Sequence, residues 1–238
     1  MSVHDRYRQF VSDQREFFDS LISEDWETYF SEDWDKLRRF EIAELFHRIQ
    51  PATVLDIGCG CGFHDKEMAQ YPFVRKIHAI DYSSKSIEAA NRQYPHPKVS
   101  RTTADLRELV GSDYELVVSW QVFEHLDEPD EYFTSALRVL QSGGWLVIFT
   151  PNRLRLSNIK RILKRQPIQY CDPQHYYEYT PKELKSFGDR FGLSFVDWFG
   201  YGISGDKRID RLAMDKKLKL GRRLPWLADS FGIVFRKP

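Results

Sequence analysis

The chain has 238 residues, and its 35 Lys and Arg are matched by 35 Asp and Glu, so net charge singles out no nucleic acid, membrane surface or acidic partner. With 42% hydrophobic and 15% aromatic residues it is too apolar for a disordered chain and long enough to bury one substantial core. No apolar run approaches the roughly 18 residues a membrane span needs, MSVHDRYRQF holds no signal core, and three cysteines cannot staple a chain of this size. The expectation is one reduced, cytoplasmic domain with no integral membrane association.

Residues 1–50 carry apolar side chains at helical spacing: Phe10, Phe17, Phe18 and Leu21, then Leu37, Phe40, Ile42, Leu45 and Phe46. They predict an N-terminal helical cap. The acids crowded between Asp13 and Asp35 read as a solvated face over aromatic anchors. From Pro51 the rhythm changes to short apolar strands at Thr53–Ile57, Lys76–Ile80, Val99–Thr102, Glu115–Ser119 and Trp145–Thr150, alternating with helices near 63–70, 84–93 and 129–140. Such alternation builds a parallel sheet, and the unbroken apolar runs LVVSW and WLVIFT suit strands covered on both faces.

After Thr150 come a basic segment (153–165), the polar aromatic loop QYCDPQHYYEY, and a helix with Thr180 as cap and Pro181 at its first position. The strand LSFVDWF, a second basic stretch from Lys207 to Arg223 and the strand FGIVF close the chain. The predicted fold is α/β, a doubly wound, mostly parallel seven-stranded sheet over residues 51–238, with a substrate-pocket insertion around 153–180.

The strongest chemical signal is VLDIGCGCG, where a strand ends near Asp56 and Gly58, Gly60 and Gly62 alternate before a helix. A backbone without side chains lets a ligand approach closely. Nicotinamide and flavin enzymes place glycine loops at the same point, so the glycines alone leave the cofactor open. Cys59 and Cys61 have no second cysteine pair and read as small loop residues rather than half a zinc site.

Asp56-Ile57-Gly58-Cys59-Gly60-Cys61-Gly62 fits each fixed position of the first motif of the class I S-adenosylmethionine-dependent methyltransferases, a family the chain resembles over roughly residues 50–200. The resemblance implies a Rossmann-like methyltransferase fold and S-adenosylmethionine as cofactor. It places Asp81, at the end of IHAID, on both ribose hydroxyls, with Tyr82 beside it; a vicinal diol needs the two acceptors a carboxylate has. It sets Asp105 of TTADLRE beside the adenine amino group and the Leu106 backbone beside the ring. Trp120 and Gln121, after the fourth strand, fall next to the expected methyl position, and Trp120 reads equally as a core aromatic. YELVVSWQVFEHL and LRVLQSGGWLVIFTPN, with a turn at Ser142-Gly143-Gly144, look like the ubiquinone-biosynthesis O-methyltransferase group.

A sulfonium methyl group is already activated, so alignment and exclusion of water dominate the task. A hydroxyl acceptor also gains from a base, and the candidate catalytic residues are His125, at the carboxyl edge of the sheet, and His175, in HYYEYT. His175 loosely resembles the metal-binding histidine of small-RNA 2'-O-methyltransferases, which carry Glu-x-x-Glu-His after the fourth strand. Here Gln121 replaces the first acid. An amide weakens a site for a hard divalent ion, so no metal is expected at Gln121, Glu124, His125 and His175.

SWQV stands where DNA amino-methylating enzymes have D/N-P-P-Y/F, so no DNA partner is expected. The expected function is methyl transfer to a small-molecule acceptor at oxygen, and the basic segments keep an anionic acceptor open. RNA 2'-O-methylation and a non-catalytic cofactor-binding subunit are the alternatives.

Overall fold

A computed structural model describes residues 13–22, 32–111 and 113–238; Phe10 and residues 23–31 of the acid-rich stretch lie outside them. Seven strands form one sheet: β1 (Thr53–Ile57), β2 (Lys76–Asp81), β3 (Val99–Thr103), β4 (Tyr114–Trp120), β5 (Leu140–Pro151), β6 (Ser194–Tyr201) and β7 (Ser230–Arg236). Their order is β3-β2-β1-β4-β5-β7-β6, with β7 antiparallel to both neighbours and β1 to β5 paired in parallel. Strand order reverses between β1 and β4, and a crevice opens at the carboxyl ends of strands at such a switch point.

The helices are α1 (Gln14–Leu21), α2 (Glu32–Arg48), α3 (Phe63–Met68), α4 (Ser84–Gln93), α5 (Pro129–Val139), α6 (Leu156–Leu163), α7 (Pro181–Arg190) and α8 (Met214–Arg223). Successive strand residues feed opposite layers. Leu116 and Val118 pack with Ile42, Leu45 and Phe46 of α2, whereas Val117 packs with Phe133 and Ala136 of α5 and Leu184 of α7. This period-two alternation between two apolar layers explains why the central strands read as unbroken apolar runs.

Thr180 and Glu183 close a reciprocal capping box at the start of α7, as its sequence predicts. The fifth strand differs from its prediction. Ser142-Gly143-Gly144 is not a turn ahead of Trp145 but part of β5, which begins at Leu140. The pairing with β4 shifts register between Tyr114 and Leu116, and Gly143 takes φ +71°. The Gly143 N–H donates to Lys237 O at 3.0 Å and the Lys237 N–H to Gly144 O at 2.9 Å, so the irregular segment stays in the sheet. Among the described residues no helix is long and apolar enough to cross a membrane, and Cys59, Cys61 and Cys171 form no disulfide.

Candidate active site

The loop after β1 is pinned to the end of β2. The N–H groups of Gly58 and Cys59 donate to Ile80 O at 2.8 and 3.0 Å, and that of Gly60 donates to Asp81 Oδ2 at 2.9 Å. A Cβ on Gly58 would lie 2.4 Å from Val122 Cγ2, so the turn after β4 presses directly on the loop. Gly60 has φ +52°, and a Cβ there would meet nothing within 4 Å. That glycine faces open space.

Asp56 lies fully buried with both carboxylate oxygens unpartnered. Burial pushes its pKa well above the usual carboxylate range, the charges of Asp65 and Asp81 add to the rise, and Arg101 opposes it. The open glycine and the unsatisfied buried acid of the same loop fit a ligand that approaches the backbone closely.

Asp81 is buried too, its Oδ1 accepting from the Ser83 N–H at 2.9 Å. Burial raises its pKa, while the Ser83 and Gly60 N–H groups pull it back. Each oxygen keeps a lone pair beyond these bonds. Helix α1 crosses the same edge of the sheet. Ser83 Oγ donates to Asp19, and the Phe18 ring stands 6.3 Å from that of Tyr82 and 5.3 Å from that of His125. The sequence shows these aromatics as helical anchors but nothing that brings them to the ligand edge.

Several expected cofactor residues are already engaged. The Arg107 guanidinium grips Asp105, with Nη2 2.6 Å from Oδ2, and holds that carboxyl below its usual range. The Leu106 side chain packs against the α5 layer. Trp120 is buried between His64 at 4.3 Å and Phe149 at 4.2 Å between ring centroids, so both its faces are covered. Gln121 takes φ +56°, a region non-glycine residues rarely enter, and its Nε2 donates to Tyr201 Oη at 3.1 Å.

Beneath Trp120, Arg38 and Glu41 of α2 form a buried ion pair at 3.0 Å, with His64 Nε2 3.1 Å from Glu41 Oε2. Burial alone would raise Glu41, yet Arg38, His64 and Tyr201 hold it down at about 2. Nothing in the helical spacing of α2 distinguishes this buried pair from a solvated one.

The two candidate histidines are brought together from separate segments, their ring centroids 4.7 Å apart. The backbone N–H of Tyr176 donates to Glu124 O at 2.9 Å and ties the HYYEYT loop to the turn after β4. His125 Nδ1 lies 3.2 Å from Gln174 O, and burial, then the charge of His175, lowers its pKa to about 3. His175 Nδ1 lies 3.1 Å from Glu178 Oε1, and its Nε2 lies 4.0 Å from Glu124 Oε1.

Burial raises Glu124 to about 7; Oε2 accepts from Thr150 Oγ1 at 2.9 Å, while the buried Oε1 has no hydrogen-bond partner. Glu178, also buried, is bonded by Arg155 and by the Cys171 N–H at 2.5 Å, and together with His175 these outweigh burial and lower its pKa. The His175-x-x-Glu178 spacing was the available signal for this orienting acid.

Glu124, His125 and His175 each offer a ligand atom within 4.8 Å of the others, so the three could hold a divalent cation. Gln121, the residue on which the expectation of no metal rests, is directed to Tyr201 instead.

A family model described as a methyltransferase domain matches residues 28–197. A mitochondrial ubiquinone biosynthesis O-methyltransferase of Candida albicans is 36% identical over 107 residues, covering 42% of this chain and 33% of that one. A probable S-adenosylmethionine-dependent methyltransferase of Mycolicibacterium smegmatis is 30% identical over 165 residues, covering 68% and 61%. The chain thus spans between 33% and 61% of the length of these two relatives. In fold it is similar to magnesium protoporphyrin IX methyltransferase from Synechocystis PCC 6803, solved with bound SAH, at a TM-score of 0.67 and 16% identity over 94% of this chain and 98% of that one.

Proposed function

Because the chain belongs to the methyltransferase-domain family of class I S-adenosylmethionine-dependent enzymes, we propose that it methylates a hydroxyl of a small-molecule acceptor. The acceptor would lie between the turn after β4 and the loop that carries His175. S-adenosylmethionine, held at the glycine loop, supplies an activated methyl group. The chain's own residues then have to hold and align the partners, exclude water and take a proton.

The observation that carries this reading is Glu124. Its Oε1 is buried and unpartnered, burial brings its pKa to about 7, and it stands beside His175. An amine needs only to arrive unprotonated, whereas a hydroxyl of high pKa gains from a base that titrates near neutrality. Glu124 Oε1 takes that proton, and His125 and His175 orient the hydroxyl. Asp81 holds the ribose with Tyr82 beside it, Asp105 and Leu106 flank the adenine, and the turn at Trp120 and Gln121 borders the methyl position. Relatives named ubiquinone biosynthesis O-methyltransferase support oxygen as the acceptor atom. The test is turnover against a panel of phenols, alcohols and amines: methylation of amines only would refute it.

A second reading, metal-assisted methylation of an RNA 2'-hydroxyl, is favoured by the convergence of Glu124, His125 and His175. Activity on RNA, abolished by a chelator and restored by a divalent ion, would select it.

A further inference from the structure

Gln121 is held in its left-handed turn from across the sheet. It follows β4, and Tyr201 ends β6, with β5 and β7 lying between the two strands. Because β6 runs parallel to β4, both residues stand at the carboxyl edge. The buried Tyr201 ring packs against Phe149 and Phe40, at 6.1 and 6.2 Å between centroids, and its hydroxyl meets Gln121 Nε2 at 3.1 Å. The Gln121 N–H donates to Phe149 O at 2.8 Å, and Val122, the next residue, presses on Gly58. A non-glycine residue stays in that backbone region only where its surroundings hold it there. The conformation of Gln121 therefore sets how the turn meets the glycine loop and where Glu124 and His125 stand.

The direction of each hydrogen bond in this chain of groups is fixed from its far end. Arg38 keeps Glu41 ionised, and an ionised carboxylate can only accept. Tyr201 Oη is therefore the donor in its bond to Glu41, and burial beside that anion keeps the phenol protonated. A hydroxyl has a single proton to give, so toward Gln121 it can only accept. The Gln121 amide must turn Nε2 to Tyr201, and its Oε1, which meets no donor among the described residues, faces away. His64 completes the hub. Burial lowers its pKa to about 4, so the ring is neutral; its Nε2 proton goes to Glu41 Oε2 while its face stacks on Trp120 with planes 8° apart. One buried carboxylate thus braces Trp120 through a stacked ring and Gln121 through a phenol. A buried ion pair is a weak source of stability but well suited to holding donors and acceptors in one pattern.

We infer that Tyr201 is a positioning residue for methyl transfer: fixed by Glu41, its hydroxyl orients the Gln121 amide so that Oε1 presents a lone pair to the molecule being methylated. This rests on the reading that the turn at Gln121 borders the methyl position. Tyr201 itself touches neither cofactor nor substrate and acts only through Gln121.

The test is a double-mutant cycle. Tyr201→Phe keeps the buried ring and removes its oxygen, and Gln121→Asn tolerates the left-handed backbone but is a methylene too short to reach Tyr201. With any phenol, alcohol or amine that the full chain methylates, each single variant should lower kcat/KM for that substrate by about tenfold. The double variant should lose no more than either single one, with KM for the cofactor at the parental value. Losses that multiply would make Tyr201 a structural residue independent of Gln121 and overturn the inference, as would a parental rate in Tyr201→Phe. A second measurement needs no substrate. In protein carrying isotope-labelled glutamine, the Gln121 side-chain NH2 signal, assigned by its loss in Gln121→Asn, should exchange with water at least about tenfold faster in Tyr201→Phe than in the parent. Equal exchange in the two proteins overturns the proposed orientation. The two readings fail separately: methylation of amines alone removes the hydroxyl acceptor but not the coupling, whereas multiplying losses or unchanged exchange remove Tyr201 whatever atom is methylated.

Discussion

His125 and His175 meet edge to face, ring centroids 4.7 Å apart and planes 79° apart, and the partner of each Nδ1 fixes which way its ring presents a proton. A carbonyl oxygen can only accept, so His125 Nδ1 carries the proton it gives to Gln174 O; the Glu178 carboxylate does the same for His175. His125, whose burial disfavours the charged ring, is left with Nε2 as its lone-pair nitrogen. With the unpartnered Glu124 Oε1 nearby, the cluster is an environment that a substrate hydroxyl or a cation would complete.

Replacing Glu124 by Gln keeps the side chain's shape and removes its titration. The expected loss in methyl transfer is about a hundredfold to ten-thousandfold with cofactor affinity preserved. The parental rate should rise with pH up to about 7 and level off, following the pKa that burial gives Glu124, and the variant should lack that limb. Single-turnover rates from acidic to mildly alkaline pH decide it: a limb that survives in the variant assigns the base elsewhere.

His125 also leaves a signature in stability. Its folded pKa of about 3 lies below the ordinary value of 6.5, so between those values the unfolded chain binds a proton that the folded chain refuses. Its contribution to stability is therefore full above pH 6.5 and lost as pH falls toward 3. Compared with His125→Asn, the parent should lose on the order of 2 kcal/mol between pH 7 and about pH 4.5. Urea denaturation of both proteins gives the difference, and parallel pH profiles would show that the folded ring titrates normally.

Arg155 anchors the acid that orients His175. In Arg155→Ala, Glu178 keeps its His175 and Cys171 contacts but loses its cationic partner inside the protein. Breaking such a buried pair costs roughly 3 to 5 kcal/mol, and pairing the change with Glu178→Gln should recover part of that loss. Denaturation midpoints of the two single variants and the double variant measure the coupling; simple additivity would mean that the ion pair contributes nothing.

The sheet was legible in the sequence because its central strands are buried on both faces, and Leu116, Val117 and Val118 record that directly as a run of apolar residues. The start of β5 was not. Ser142-Gly143-Gly144 has turn chemistry, and only pairing with the distant Lys237 backbone keeps it in the sheet. In the site, the glycine loop is a local pattern and could be read, as could His125 and His175 as polar residues at a strand end and in a loop. Their meeting depends on the Tyr176 to Glu124 backbone bond, and the raised pKa of Glu124 depends on burial, neither of which a linear pattern encodes. For the same reason Trp120 and Asp105 were visible as residue types, while the His64 and Phe149 stack and the Arg107 grip on them were not.

The glycine loop and Asp81 make one device, because the carboxylate that is proposed to hold the ribose also accepts the Gly60 N–H. Asp81→Ala should therefore weaken cofactor binding twice over, through lost ribose bonds and a loosened loop, by about 2 to 4 kcal/mol in calorimetry. Asp81→Asn keeps one acceptor oxygen and should lose less. Gly60 tests the loop from the other side. Its φ of +52° disfavours any side chain, and the space its Cβ would enter is the open face toward the ligand. Gly60→Val should abolish cofactor binding with the sheet's circular dichroism intact, and Gly60→Ala should fall between the two. Near-parental affinity in folded Gly60→Val would place the cofactor away from this loop, while near-parental affinity in Asp81→Ala alone would leave the loop assignment standing and remove Asp81 from the ribose.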